Sequence, residues 1–213
     1  MEKRFIEVPR TGRYYLIGNL TQPKSVWVCL HGYGQQSKYF APKVKALDNG
    51  ENLIVVAEAL NRFYLSGYNG RVGATWMTSD DRELDISDND RYLEHLVSGV
   101  YKEFNLGDIK LNLLAFSQGI ATGCRWIAHS KLQFNQAILW AGSIPPDLDW
   151  EKETDRFNRI KIQYVFGDQD QFFDNEKIES NRQLFALAGI EHQLVTFEGK
   201  HEIDDNVLMN LLQ

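Results

Sequence analysis

The chain lacks most of the features that mark membrane-spanning, secreted, disulfide-built or nucleic-acid-binding proteins. No stretch approaches about 18 uninterrupted apolar residues, so no segment reads as a membrane span. The start, MEKRFIEVPR, has no apolar core of a secretory signal, and the cytoplasm is the expected location. No basic run is present, and 23 Lys and Arg stand against 29 Asp and Glu for a net charge of −6. That balance argues against a general binder of nucleic-acid backbones. Cysteine is nearly absent. Cys29 and Cys124 each sit inside an apolar segment without a flanking histidine or glycine-rich turn, which reads as buried free thiol rather than disulfide or nucleophile. No Cys/His spacing suggests zinc, and no glycine-rich phosphate loop is present, so neither metal nor cofactor is expected. Internal repeats and low-complexity stretches are missing, and 213 residues fit one domain spanning 1–213.

What is present is a series of buried strands and amphipathic helices. Arg4–Val8 and Arg13–Ile17 alternate around PRTG and predict an N-terminal antiparallel hairpin. SVWVCL at Ser25–Leu30 is continuously apolar or β-branched, and Leu53–Ala57 repeats the pattern. Lys38–Leu47 reads as a helix, and residues 63–77 as a glycine- and aromatic-rich loop. Tyr92, Leu93, Leu96, Val97, Val100, Tyr101 and Phe104 share one helical face. Strands then alternate with helices: Leu111–Ala115, a helix at about 118–129, Gln136–Ala141, Lys161–Phe166, a helix near 176–188, His192–Phe197 and a final short helix from about 202. Continuous apolar strands separated by helices predict an α/β fold with a mostly parallel sheet covered on both faces. Right-handed crossovers bring every strand-to-helix loop to the carboxyl edge of that sheet, where chemistry is expected.

One such loop carries LNLLAFSQGIATGC (Leu111–Cys124). Ser117 stands between a strand and a helix with Ala115 and Gly119 two positions to either side. Small flanks are what a sharp strand-to-helix turn needs to present a serine hydroxyl outward. Alone the pattern is weak. A serine also needs a base, usually a histidine held by a carboxylate. YVFGDQDQFF places Asp168 and Asp170 just past a buried strand, and FEGKHEI places His201 just past the last one. Separately these read as a turn aspartate and a loop histidine. The order Ser117, Asp170, His201 is that of an α/β-hydrolase. CLHGYGQQS, after the strand at Ser25–Leu30, offers backbone N–H donors for an oxyanion at Tyr33, with Gln118 supplying the other. His31 lies before Ser117 in sequence, the wrong side for the base, and reads as a residue organising that loop.

Taken together, LHGYG, AFSQG, FGDQD and GKH resemble the bacterial phospholipase/carboxylesterase family of α/β-hydrolases, relatives of the acyl-protein thioesterases. The resemblance runs from about Ser25 to the C-terminus. It implies Ser117 as nucleophile, Asp170 as acid (counting from Gly167 in the family's Gly-x-x-Asp pattern), His201 as base, and the Tyr33 and Gln118 N–H groups as an oxyanion hole. Ala115 departs from the family's usual glycine. Residues 64–77 do not align with the better-known thioesterases.

Phe63, Tyr64, Tyr68 and Trp76 are candidate pocket walls from the glycine loop; their alternative is cover for the sheet edge. Ile144 in WAGSIPPD and Phe172 after Asp170 are further candidates, and Arg71 reads as an anion contact or a solvated side chain. The acidic cluster Asp80, Asp81, Glu83, Asp85, Asp88 and Asp90 lacks the spacing of a calcium loop and reads as a solvated helix start, with Ser87 and Asp90 as a loose capping pair. The expected function is hydrolysis of small carboxylic esters through an acyl-enzyme. A thioesterase or lysophospholipase is the nearest alternative, and a non-catalytic binding module the distant one. The sequence does not reveal the oligomeric state.

Overall fold

Side chains on successive residues of a strand point to opposite faces, so a strand covered on both sides must be apolar throughout. The central strands obey this rule in the computed structural model, which describes residues 1–212. β1 (Tyr14–Gly18), β2 (Ser25–Leu30), β3 (Asn52–Ala57), β6 (Lys110–Phe116), β7 (Phe134–Trp140), β8 (Lys161–Gly167) and β9 (Gln193–Phe197) form one sheet in the order β1-β3-β2-β6-β7-β8-β9. β1 runs antiparallel to β3, and all other neighbours are parallel. In β2, Val26, Val28 and Leu30 face one core while Trp27 and Cys29 face the other. The first core is roofed by α2 (Arg82–Glu103), α3 (Gln118–His129), α4 (Trp150–Phe157) and α5 (Asn175–Leu187). The second is closed by the one-turn α1 (Ser37–Phe40), a 3-10 helix at Ala41–Leu47 and α6 (Asp205–Leu211). Among the described residues no helix is long and apolar enough to cross a membrane.

The elements differ from the sequence reading at four places, each with a physical reason. The antiparallel N-terminal strand is present, but its partner is β3, with Tyr14 opposite Ala57 and Gly18 opposite Leu53. Arg4–Val8 forms no strand. With β1 paired to β3, its Leu16 and Ile17 pack against the two cores; a strand outside β1 would have no core to cover. The preceding residues instead lie along α2, where Arg91 binds Glu7 and the Tyr92 hydroxyl donates to the Arg13 carbonyl. Lys38–Leu47 is not one helix: Pro42 has no N–H to continue an α-helical ladder, and the segment tightens to 3-10 geometry. The glycine-rich loop contains a hairpin, β4 (Asn61–Tyr64) with β5 (Val72–Thr75), pairing Phe63 with Gly73. Ser87 lies inside α2, so it caps nothing; Asp81 occupies the N-cap position without a side-chain cap bond. The acidic side chains there are taken up separately: Asp85 accepts from Asn61 and from the Thr78 N–H, Asp88 pairs with Arg91, and Asp90 with His129.

Candidate active site

β6 ends at Phe116 and α3 begins at Gln118, leaving Ser117 alone to reverse the chain. It does so with φ 54° and ψ −118°. A non-glycine residue in that region costs about 1–3 kcal/mol and persists only where its surroundings enforce it. Here they do. The Ser117 N–H donates to the Trp140 carbonyl at 2.8 Å, and its carbonyl accepts from Ile120 at 3.0 Å. Three glycines make room for the turn. A Cβ on Gly119 would stand 2.6 Å from the Leu30 carbonyl oxygen, and one on Gly142 would stand 2.3 Å from that of Ser117. A Cβ on Gly32 would come within 3.1 Å of the Ser117 Cβ. Ala115 is fully buried, with its methyl toward Gly123 of α3.

β8 and β9 deliver the other two groups. Gly167 ends β8 so close to the last loop that a Cβ there would lie 2.3 Å from the Gly199 carbonyl oxygen. Asp168 and Asp170 then separate in role. Asp168 fastens the two loops: its carboxylate accepts the Gly199 N–H at 3.0 Å and its own N–H donates to Phe197 at 2.9 Å. Asp170 turns inward and buries its carboxylate completely. One of its oxygens accepts the Phe172 N–H at 2.8 Å, and the other meets His201 Nδ1 at 2.6 Å. A carboxylate acceptor at that distance places the ring proton on Nδ1, so Nε2 is the free base. Nε2 lies 3.1 Å from Ser117 Oγ. The imidazole is held between the Phe116 and Phe172 rings at 4.9 and 4.8 Å, and the Trp140 indole secures its loop by donating to the Glu202 carbonyl.

The turn after β2 faces the same hydroxyl. The Gly32 N–H is taken by the Gln35 side chain at 3.0 Å and the Gly34 N–H by the Ala74 carbonyl at 2.9 Å. Between them the Tyr33 N–H has no acceptor among the described residues, and neither has the Gln118 N–H at the start of α3. His31 organises this turn. The Ala59 N–H donates to its Nε2 at 3.1 Å, which leaves Nδ1 to donate to the Gly32 carbonyl at 2.7 Å. Both nitrogens are thereby committed in the neutral form, and burial holds the imidazole pKa below its usual value.

Of the proposed wall residues, Phe172 alone places its ring against His201. Tyr64 is half exposed on the hairpin and Tyr68 is 96% exposed at its tip, while Ile144 is buried in the larger core. Trp76 does not face outward. It is fully buried, with its indole donating to the His31 carbonyl at 2.8 Å, so it braces the turn from beneath. Phe63 is the aromatic that reaches the turn, its ring 5.3 Å from that of Tyr33. The sequence reading missed the Gln118 side chain. Its amide accepts from the Trp76 N–H at 3.1 Å and donates to the Met77 carbonyl at 3.0 Å, tying the exit of β5 to the serine turn.

The comparisons agree with this architecture. The carboxylesterase of Mesorhizobium loti superposes with a TM-score of 0.72 at 14% identity, covering 94% of each chain. Acyl-protein thioesterase 2 of Zea mays gives 0.72 at 17% identity, over 95% of this chain and 98% of its own. The esterase PE8 gives 0.67 at 19%, over 94% and 95%. At such identities these likenesses show the fold. No curated protein sequence matches the chain. The family match is at the level of sequence and covers residues 17–213, and it places this chain in the phospholipase/carboxylesterase family of α/β-hydrolases.

Proposed function

We propose that the protein is a serine hydrolase that cleaves carboxylic esters through an acyl-enzyme on Ser117. The observation that carries this reading is His201, bridging a hydroxyl in a strained turn at 3.1 Å and a buried carboxylate at 2.6 Å. As Ser117 Oγ attacks the acyl carbonyl, His201 Nε2 takes its proton, and Asp170 stabilises the imidazolium that results. The carbonyl oxygen becomes an oxyanion and accepts the uncommitted N–H groups of Tyr33 and Gln118. Collapse breaks the ester bond, and the imidazolium returns its proton to the leaving alkoxide. Water deprotonated by Nε2 then attacks the acyl-enzyme, the second intermediate collapses, and Ser117 regains its proton as the acid departs. A thioester follows the same route with a thiolate leaving group.

The test is labelling with a fluorophosphonate, which reacts only with an activated serine, followed by turnover of p-nitrophenyl esters of rising acyl length. Wild type is expected to label and Ser117→Ala to remain blank. Asp170→Asn is expected to lose roughly 10⁴ in kcat, because it removes the acceptor that fixes the His201 tautomer. A folded wild type that neither labels nor turns over any ester would overturn the assignment.

A further inference from the structure

For a chain with a net charge of −6, one groove at the carboxyl edge of the sheet is out of character. It has a volume of about 520 Å³ and is lined by Arg13, Lys38, Arg62 and Arg71, with Tyr39 beside them and no carboxylate in its wall. Resting on the hydrolase reading above, we propose that this groove holds an oxyanionic group of the substrate, a carboxylate or a phosphate, so that the preferred ester carries a negative charge away from its scissile bond.

The four cations come from separate parts of the chain. Arg13 precedes β1, and its carbonyl accepts the Glu58 N–H at the end of β3. Arg62 lies on β4, Arg71 immediately precedes β5, and Lys38 belongs to α1 just past the Tyr33 turn. A single carboxylate lies beneath them. Glu58 is 2% exposed and already engaged: it accepts from Arg13 Nε at 2.8 Å and from the Ser37 N–H at 3.1 Å, and Arg62 stands 3.8 Å away. Glu58 thus fixes the position of the Arg13 guanidinium and offsets one positive charge, which leaves the four cations in excess. Among the described residues Lys38 and Arg71 have no carboxylate at ion-pair distance; Lys38 rests over the Tyr39 ring at 4.7 Å. Cations gathered this way repel one another, and an anion entering the groove relieves that repulsion. Guanidinium groups match the planar oxygens of carboxylate and phosphate, while a lysine adds a mobile point charge.

The groove is also coupled to the serine. Its Val72 edge is on β5, and two residues along, Ala74 bridges Gln35 and accepts the Gly34 N–H of the turn that presents Tyr33. A Cβ on Gly73 would lie 2.5 Å from the Gly34 carbonyl oxygen, so hairpin and turn are in direct backbone contact. An ester with its carbonyl on the Tyr33 and Gln118 N–H groups can therefore extend a charged arm across that contact into the groove.

Two matched pairs of esters separate the acyl arm from the alcohol arm: monoethyl adipate against ethyl hexanoate, and 3-acetoxypropyl phosphate against 3-acetoxypropanol, each followed by titration of released acid. The charged member of at least one pair is expected to show a kcat/KM about tenfold higher at low salt, the size expected when a few exposed pairs each contribute weakly. The ratio should fall toward one in high salt and in the variant Lys38→Ala with Arg71→Ala, and should persist in Lys152→Ala, which removes a remote exposed charge. Ratios near one for both pairs, in an enzyme that labels with fluorophosphonate and hydrolyses the neutral esters, would overturn the groove assignment and leave the hydrolase reading intact. Calorimetry of the charged esters with Ser117→Ala provides the converse test. Binding that depends on Arg71 upholds the groove even if no ester is turned over, and absence of binding counts against it.

Discussion

Replacing Gly142 by alanine adds one methyl group at the point where β7 leaves the sheet, and it tests whether the serine turn is held as tightly as its backbone implies. The added carbon would lie 2.3 Å from the Ser117 carbonyl oxygen, 2.7 Å from its carbonyl carbon and 2.8 Å from its Cα. Relaxing such contacts to ordinary van der Waals separation requires a displacement on the order of 1 Å. Neither side yields easily. The Ser117 N–H is bonded to Trp140, Ala141 N–H to Val165, and the Tyr164 hydroxyl donates to the Gly142 carbonyl at 2.7 Å. The displacement therefore falls partly on Ser117, whose hydroxyl must stay within reach of His201. A misplacement of about 1 Å costs about 10² in rate, and the overpacking itself costs about 1–3 kcal/mol of stability. In a domain of this size that lowers Tm by roughly 2–4 °C per kcal/mol. Steady-state hydrolysis of p-nitrophenyl acetate and urea denaturation measure the two effects. Gly99→Ala is the control: it sits on the exposed side of α2 with nothing within 4 Å of its added Cβ, and should stabilise by about 0.5–1 kcal/mol with activity untouched. A Gly142→Ala protein with wild-type kcat/KM and an unchanged urea midpoint would refute the argument that Ser117 is clamped from the β7 side.

Three further outcomes follow from buried or paired groups. His31 is neutral and doubly bonded, and its lowered pKa means that the unfolded chain binds a proton first as pH falls. Stability is therefore expected to decline as pH drops through the ordinary histidine value of about 6.5, and a His31 resonance titrating at or above that value would contradict the bonding described. Asp147 is drawn down to about 2 by its hydrogen bonds to Arg125, assisted by Arg82. Its contribution is present above the unfolded carboxylate value near 4 and is lost as pH falls toward 2, so the stability gap between wild type and Asp147→Asn should close over that interval. Cys29 and Cys124 are free and buried, and burial raises both thiols, that of Cys124 to about 12. Iodoacetamide at neutral pH should modify neither until the protein is unfolded; rapid alkylation of the native protein would refute their burial.

The division between what the sequence revealed and what it hid is physical. Ser117, Asp170 and His201 were legible as neighbours because each follows a strand, and a parallel sheet sends all such loops to one edge; β6 and β8 announce themselves by burial along almost their whole length, whereas β9 is a largely exposed edge strand. Alternation identified β1 as a strand, yet alternation carries no information about a partner, and the neighbouring run Arg4–Val8 was mistaken for one. β4 and β5 were missed since each has four residues, one contains glycine, and their support comes from elsewhere: the Gln35–Ala74 bridge and the Gln118 amide at the end of β5. Trp76 looked like a pocket wall because it stands in a glycine-rich segment, whereas the indole N–H found its acceptor at His31 and drew the ring inside.

The small residues around the serine carry the same lesson further. Ala115 and Gly119 are two positions from Ser117 and can be seen by counting, but counting does not explain why they must be small. Gly119 is small because Leu30 of β2 passes 2.6 Å from where its Cβ would be. Gly32 and Gly142 lie far from Ser117 in sequence, arrive from the turn after β2 and the exit of β7, and confine the same residue from opposite sides of β6. A serine motif specifies where the chain turns; three strands meeting without side chains between them hold the hydroxyl at the angle from which His201 can reach it. Substituting any of these glycines should therefore impair the turn more than restoring glycine at Ala115 would change it, since the Ala115 methyl already fits its place against Gly123.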